Sequence, residues 1–226
     1  MTRWMVAVAL GSVLAASAAW GQEERHSSRY IACRAAEGVD HRLQEICQVV
    51  DTIPSRLHDA RGHPRRTADL QYAHAMALLV LGDTGDDVAM RDCIEASRAS
   101  AEFYTRGRSP TRWAVLQVNV GQALIALADR GDDGAAAEAV EVLSAAADAV
   151  PRAQQPEFWA HAHETLADAY LVYGRGADPE ALRRAAAELQ LALEVYRRPR
   201  FADRRERVER LLADIYRALG QEPDPA

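Results

Sequence analysis

The feature that most constrains the fold is a repeat, because matching residues recur along the chain at intervals of 46 positions. Three prolines keep this interval, each three residues before a threonine or tryptophan: Pro64 and Thr67, Pro110 and Trp113, Pro156 and Trp159. Small residues and aspartates keep the same register at Ala75, Gly121 and Ala167, and at Asp40, Asp86, Asp132 and Asp178. Self-similarity of this kind is typical of stacked repeats, whose units bury a core between them.

Each unit is predicted to contain two helices. In the stretch 113–128, apolar or small residues lie at Val120, Gly121, Leu124 and Leu127, the spacing of a buried helical stripe. The in-register aspartate after it can accept hydrogen bonds from the first amides of a second helix. Alanine and leucine are abundant and β-branched residues sparse, which favours helix over sheet. The sequence therefore predicts an all-α fold, an αα-hairpin solenoid with about three full repeats and partial terminal units.

Small residues also indicate where the two helices of a hairpin approach each other. Ala75, Gly121 and Ala167 on the first helices are predicted to face Cys93, Ala139 and Ala185 on the second helices. Two helices come closest where neither carries a bulky side chain, so a large residue there would force them apart.

The strings "NVGQALIAL" and "TLADAYLVYG" resemble the first helix of a tetratricopeptide repeat. In the second helix the resemblance rests on Ala139, Leu143 and Ala146. The repeat of that family is usually 34 residues long. Here about six extra residues enlarge the turn of each unit and about six more precede its first helix. The resemblance implies a tetratricopeptide-like superhelix.

These patterns predict the following organisation. Residues 1–21 form a signal peptide, 22–66 a partial N-terminal helical hairpin, and 221–226 a disordered tail. Residues 67–220 form the repeats, divided into 67–112, 113–158, 159–204 and a capping helix over 205–220.

The first 21 residues have the three parts of a bacterial-type secretory signal: Arg3, an apolar run over 4–16, and the small residues of "ASAAWG". Cleavage after Gly21 or after Ala18 fits the pattern. An uncleaved anchor is the alternative, disfavoured because a membrane span needs about 20 apolar residues. No later apolar run is long enough to cross a bilayer, so we expect a periplasmic or secreted protein without stable membrane insertion.

Composition and motifs argue against several kinds of chemistry. The net charge of −6 does not suit a nucleic-acid-binding protein. The chain has no lysine, which excludes a Schiff-base lysine and a phosphate-loop lysine. The string that begins His163-Glu164 has Ala167 where a zinc-protease helix needs a second histidine, and the aspartate-rich turns lack the ligand spacing of an EF-hand. We therefore expect no metal, no cofactor and no catalytic site.

The resemblance also implies a binding surface, because first helices line the concave groove in that family. Carried onto this chain, the candidate groove residues are Tyr72, Met76, Val118, Asn119, Gln122, His161, Glu164, Thr165, Asp168, Arg207, Arg210 and Arg217. We expect Asn119 to contribute more to partner binding than to folding. A protein or peptide is the expected ligand.

Two other functions remain open. The chain could be a small-molecule-binding accessory subunit of an envelope transport system, or, less favoured, a hydrolase. An enclosed cavity beside His161 and Glu164 would favour these alternatives, whereas an open groove favours a scaffold.

The three cysteines predict one disulfide. An exported chain meets an oxidising compartment, and Cys33 and Cys47 lie at similar distances on either side of the Gly38-Val39-Asp40 turn. The competing pair, Cys47 and Cys93, occupies equivalent positions of successive units, which helix packing holds about 8 to 10 Å apart. The second alternative is three buried thiols. We expect Cys33 to bond Cys47 and Cys93 to remain a buried thiol.

Overall fold

The computed structural model describes Tyr30, Cys33 and residues 41–175 and 177–220. In these residues it contains α-helices and one 3₁₀ turn but no β-strand. The predicted signal peptide, the turn at Gly38-Val39 with the Asp40 cap, and the 221–226 tail lie outside the described residues. The all-α prediction is confirmed.

The described residues fall into two compact units that divide between Thr105 and Arg106. In the first unit, α1 spans His41–Asp59, α2 spans Pro64–Gly82 and α3 spans Asp87–Phe103. Here α2 packs against both α1 and α3. The short connections make each successive pair an antiparallel hairpin.

The second unit contains five α-helices: α4 spans Pro110–Asp129, α5 Asp133–Ala149, α6 Pro156–Tyr173, α7 Pro179–Tyr196 and α8 Ala202–Ala218. The 3₁₀ turn Pro199–Phe201 leads into α8. Helices adjacent along the chain pack together, and α4 also packs against α6. This sequential pairing is the packing of an αα-hairpin solenoid, as the repeat predicts.

The repeated residues set the helix boundaries. Pro64, Pro110 and Pro156 each occupy the first turn of a first helix, where a missing N–H costs nothing. The first helix of the middle repeat accordingly begins at Pro110, three residues before the predicted Trp113. Asp86 accepts hydrogen bonds from the backbone N–H groups of Val88 and Ala89, both at 3.1 Å, as predicted for a helix cap.

The other aspartate caps differ from one another. Asp178 accepts from the Glu180 N–H at 2.9 Å, but Asp132, although it is the N-cap residue of α5, makes no side-chain cap bond. Ahead of these caps, Gly85 and Gly131 adopt φ angles of +99° and +102°. Glycine adopts this left-handed conformation without steric cost, which permits the tight turn within each hairpin.

The small residues lie where the hairpin helices meet. Ala75 and Cys93 are both fully buried, and the Cys93 thiol donates to the Ala75 carbonyl oxygen at 3.3 Å. At Gly121, an added Cβ would lie 2.6 Å from Leu143 Cδ1 on α5, closer than carbon atoms can approach. Ala75 therefore faces Cys93 as predicted, whereas Gly121 packs against Leu143, one turn after the predicted Ala139.

The predicted disulfide is also present, with Cys33 bonded to Cys47 at a Cα–Cα distance of 5.6 Å. Cys93 is a buried free thiol, as predicted. Burial raises the pKa of that thiol to about 12, which suppresses the reactive thiolate at physiological pH. Nearby in the first unit, the Tyr30 hydroxyl donates to Asp92 Oδ2 at 2.6 Å.

Candidate functional site

Nine of the twelve candidate groove residues lie on first helices of the hairpins, and the other three lie on the C-terminal helix α8. Tyr72 and Met76 are on α2 in the first unit. The others lie in the second unit: Val118, Asn119 and Gln122 on α4; His161, Glu164, Thr165 and Asp168 on α6; Arg207, Arg210 and Arg217 on α8. The repeat register thus places corresponding residues on corresponding helices.

Their exposure to solvent differs widely. Met76, Val118, Asn119, Glu164 and Thr165 are buried. Tyr72, Gln122, His161, Asp168 and Arg207 are half-buried, and Arg210 and Arg217 are exposed. At 4% exposure, Asn119 is less accessible than a partner-contacting side chain was expected to be, because its amide lies inside the helix packing. The half-buried and exposed members are the ones that a partner can reach.

Glu164 is the centre of a buried polar network that joins three helices. Its side chain is 3% exposed, Oε2 accepts from the Tyr196 hydroxyl of α7 at 2.8 Å, and Oε1 forms an ion pair with Arg207 of α8. Arg204 of α8 donates to the same Tyr196 hydroxyl at 3.2 Å. A buried carboxylate needs such partners, since leaving it uncompensated would cost several kcal/mol. Glu164 therefore anchors α8 to α6 and α7.

The two histidines of α6 lie in different surroundings. His163 Nδ1 is 2.5 Å from Glu188 Oε2, and its ring lies 4.2 Å from that of Trp159. His161 Nδ1 is buried without a hydrogen-bond partner. Burial, followed by the positive charges of Arg204 and Arg207, lowers the pKa of His161 to about 4. The His161 ring is therefore neutral at physiological pH, and the two histidines do not converge on one point.

Asp168, one turn after Glu164, is a carboxylate held in unfavourable surroundings. Burial, followed by the negative charge of Asp129 on α4, raises the pKa of Asp168 to about 6. No ion pair or hydrogen bond within the described residues compensates its charge. Functional sites often contain such perturbed groups, although structural positions can also have them.

A cavity of about 530 Å³ lies at the C-terminal ends of α4 and α6. It is lined by Ala128, Asp129, Ala136, Leu171, Val172, Tyr173 and Arg175. His161 and Glu164 do not line it, so it is not the cavity that would have favoured the alternative functions. Its volume is within the range of small-molecule sites, which is about 300 to 1,000 Å³.

The described part of the chain contains no group of three or more His, Cys, Asp or Glu side chains placed to hold a metal ion. None of its helices combines the length and apolar character that a bilayer crossing demands.

Sequence reasoning missed Tyr196, which donates to Glu164, and Arg204, which donates to Tyr196. It also missed Glu188, which contacts His163. Tyr196 is 32 residues from Glu164 and Arg207 is 43. Neither separation equals the 46-residue period, so the repeat carried no signal for these partners.

In comparisons with known proteins, no family model, no curated protein and no solved structure matches this chain.

Proposed function

We propose that this protein is an exported, non-catalytic scaffold of tetratricopeptide-like hairpins that binds a protein or peptide through its first helices. Export rests on the N-terminal sequence and agrees with the disulfide between Cys33 and Cys47. The periplasm or the extracellular space is the corresponding location.

The observation that carries the proposal is that the first helices begin at the same position in each 46-residue repeat. The first helices α2, α4 and α6 begin at Pro64, Pro110 and Pro156, so corresponding residues recur on corresponding helices. Partly exposed polar side chains lie on these helices, among them Tyr72 and Gln122. Repeated helices with accessible side chains of mixed chemistry suit an extended peptide or a partner helix.

Site-specific photo-crosslinking in cells tests this proposal. A benzophenone amino acid is placed at Tyr72 or Gln122 on the first helices or at Arg210 on α8. In control variants it is placed at the exposed Glu95, Glu141 or Arg183 on the second helices. We expect the first-helix positions to yield one common crosslinked protein and the second-helix positions to yield none of it. Equal crosslinking from both sets, or its absence from the first-helix positions, would contradict the proposal.

A second candidate function is small-molecule binding, favoured by the cavity between Asp129 and Tyr173. Its apolar wall of Leu171 and Val172, with a carboxylate at one side, fits a small apolar ligand that carries a polar group. Mass spectrometry of protein purified under native conditions checks it. A ligand that is retained by the natural chain and lost from a Val172→Arg variant would support this function.

A further inference from the structure

One end of the second unit is rich in arginine. Several exposed arginines lie in or next to the connections before α4, between α5 and α6, and between α7 and α8, and five of them are Arg106, Arg152, Arg197, Arg198 and Arg200. Three of them, Arg106, Arg152 and Arg198, keep the 46-residue register of the repeat. We call these five residues the arginine end.

Contacts among the connections bring these arginines together on one side of the unit. Gln155 Nε2 donates to Thr111 Oγ1 at 3.2 Å, which joins the start of α6 to the start of α4. An ion pair between Arg152 and Glu194 joins the α5–α6 connection to α7. A second ion pair, between Arg200 and Glu157, joins the α7–α8 connection to α6. These contacts place the three connections at the same end of the second unit.

Tryptophan side chains fix part of this surface. The guanidinium of Arg106 lies 5.7 Å from the ring centroid of Trp113, and that of Arg152 lies 4.6 Å from the ring centroid of Trp159. Each arginine precedes its tryptophan by seven residues, so the same cation–π contact occurs in two successive repeats. The extra residues before α4 and α6 thus hold a cation beside a tryptophan.

The charge of the arginine end is only partly neutralised. Glu194 pairs with Arg152, and Glu157 pairs with Arg200. Among the described residues, no carboxylate forms an ion pair with the other three arginines: Arg106, Arg197 and Arg198. A positive surface therefore remains on a chain whose net charge is −6.

We propose that the arginine end binds an acidic segment of a partner protein. Guanidinium groups bind carboxylates through paired hydrogen bonds, and clustered arginines recognise acidic motifs. The negative net charge would repel a long polyanion such as a nucleic acid, whereas a short acidic segment meets mainly the local positive field.

Exposure also argues against a membrane as the partner. The large exposed apolar side chains of the described residues are Val88 and Tyr173, and neither belongs to the arginine end. This surface therefore lacks the apolar group that would insert into a lipid interface. It is distinct from the candidate groove residues and can bind whether or not they do.

The test uses the full mature chain and a fluorescent peptide of eight glutamate residues, with an octaserine peptide as the uncharged probe. The variant Arg197→Gln/Arg198→Gln removes two unpaired charges. Arg183→Gln/Arg184→Gln is the control, because it removes two adjacent exposed arginines near the start of α7, where both pair with Glu180. Fluorescence anisotropy is measured at about 20 mM salt, where surface charges are weakly screened.

We expect the first variant to weaken octaglutamate binding about tenfold and the control to weaken it less than twofold. If the first variant does not fold, Arg106→Gln replaces it, with an expected loss of about threefold. Equal losses in the variant and its control would overturn the proposal. The proposal would also be overturned if the natural chain bound phosphatidylglycerol vesicles but not octaglutamate, and the first variant lost that vesicle binding. Because the readout is a defined peptide, a failure here leaves the crosslinking test of the first helices unaffected.

Discussion

Replacing Asp168 by asparagine is expected to stabilise the protein at neutral pH. The natural carboxylate is half-buried beside Asp129, and burial together with that charge raises its pKa from 3.8 to about 6. A carboxyl group whose pKa is higher in the folded state binds protons more tightly there, so folding is opposed once the pH is high enough to ionise it. Asparagine has nearly the same shape and no charge to bury.

The magnitude follows from the two pKa values. One pKa unit corresponds to about 1.4 kcal/mol, so the step from 3.8 to about 6 corresponds to about 3 kcal/mol. Solvent reaches part of the Asp168 side chain, which makes this figure an upper value. The penalty is absent below about pH 4, grows between pH 4 and 6, and is complete above about pH 6. We therefore expect Asp168→Asn to gain about 1 to 3 kcal/mol at pH 7.5 and almost nothing at pH 3.5.

Urea unfolding of both proteins at several pH values measures this difference. The difference in unfolding free energy between the two proteins at each pH cancels the effect of other titrating groups. His161 is one of these, because its lowered pKa reduces the stability of both proteins as the pH falls from 6.5 to 4. Asp129→Asn, which removes the smaller cause, should give a smaller gain. If Asp168→Asn is neutral or destabilising at pH 7.5, or if its gain is unchanged at pH 3.5, the electrostatic reasoning is refuted.

Three other substitutions or treatments probe the packing. Gly121→Leu is expected to cost at least about 1 to 3 kcal/mol by overpacking the α4–α5 contact, and an unchanged urea midpoint would contradict the close approach of these helices. Arg207→Gln should destabilise the protein more than Glu164→Gln does, because it leaves a buried carboxylate without its ion-pair partner. Glu164→Gln leaves only a half-exposed arginine that water can solvate. The reverse order of stabilities in urea unfolding would contradict the burial of that network. Reduction of the disulfide between Cys33 and Cys47 should cost about 3 kcal/mol by the chain-entropy estimate, and identical melting with and without reductant would refute a structural role for it.

The hairpin architecture was predictable because its causes are local and repeated. Pro110 favours the first turn of a helix, Asp86 caps the following one, and Gly121 permits a close approach; each effect depends on a residue and its near neighbours. Recurrence at a fixed interval then separates such signals from chance. The cysteine pairing followed from the same local geometry.

The burial and contacts of the candidate groove residues were less predictable than the helices that carry them. The sequence placed Glu164 on a first helix, but its burial depends on Tyr196 and Arg207, whose positions follow from three-dimensional packing rather than from the repeat. Burial of Asn119 has the same origin, since a polar residue at a given helical position can face solvent or a neighbouring helix. Asp132 is in register with the capping aspartates yet makes no cap bond, because side-chain orientation is decided by each turn separately.

The short turns within the hairpins have a consequence for the order in which the chain folds. Only residues 130–132 separate α4 from α5, and residues 83–86 separate α2 from α3. Closing such short loops loses little entropy, and proteins dominated by contacts between sequence neighbours fold quickly. Each hairpin can therefore form once its own two helices are available, so assembly can follow the direction of synthesis.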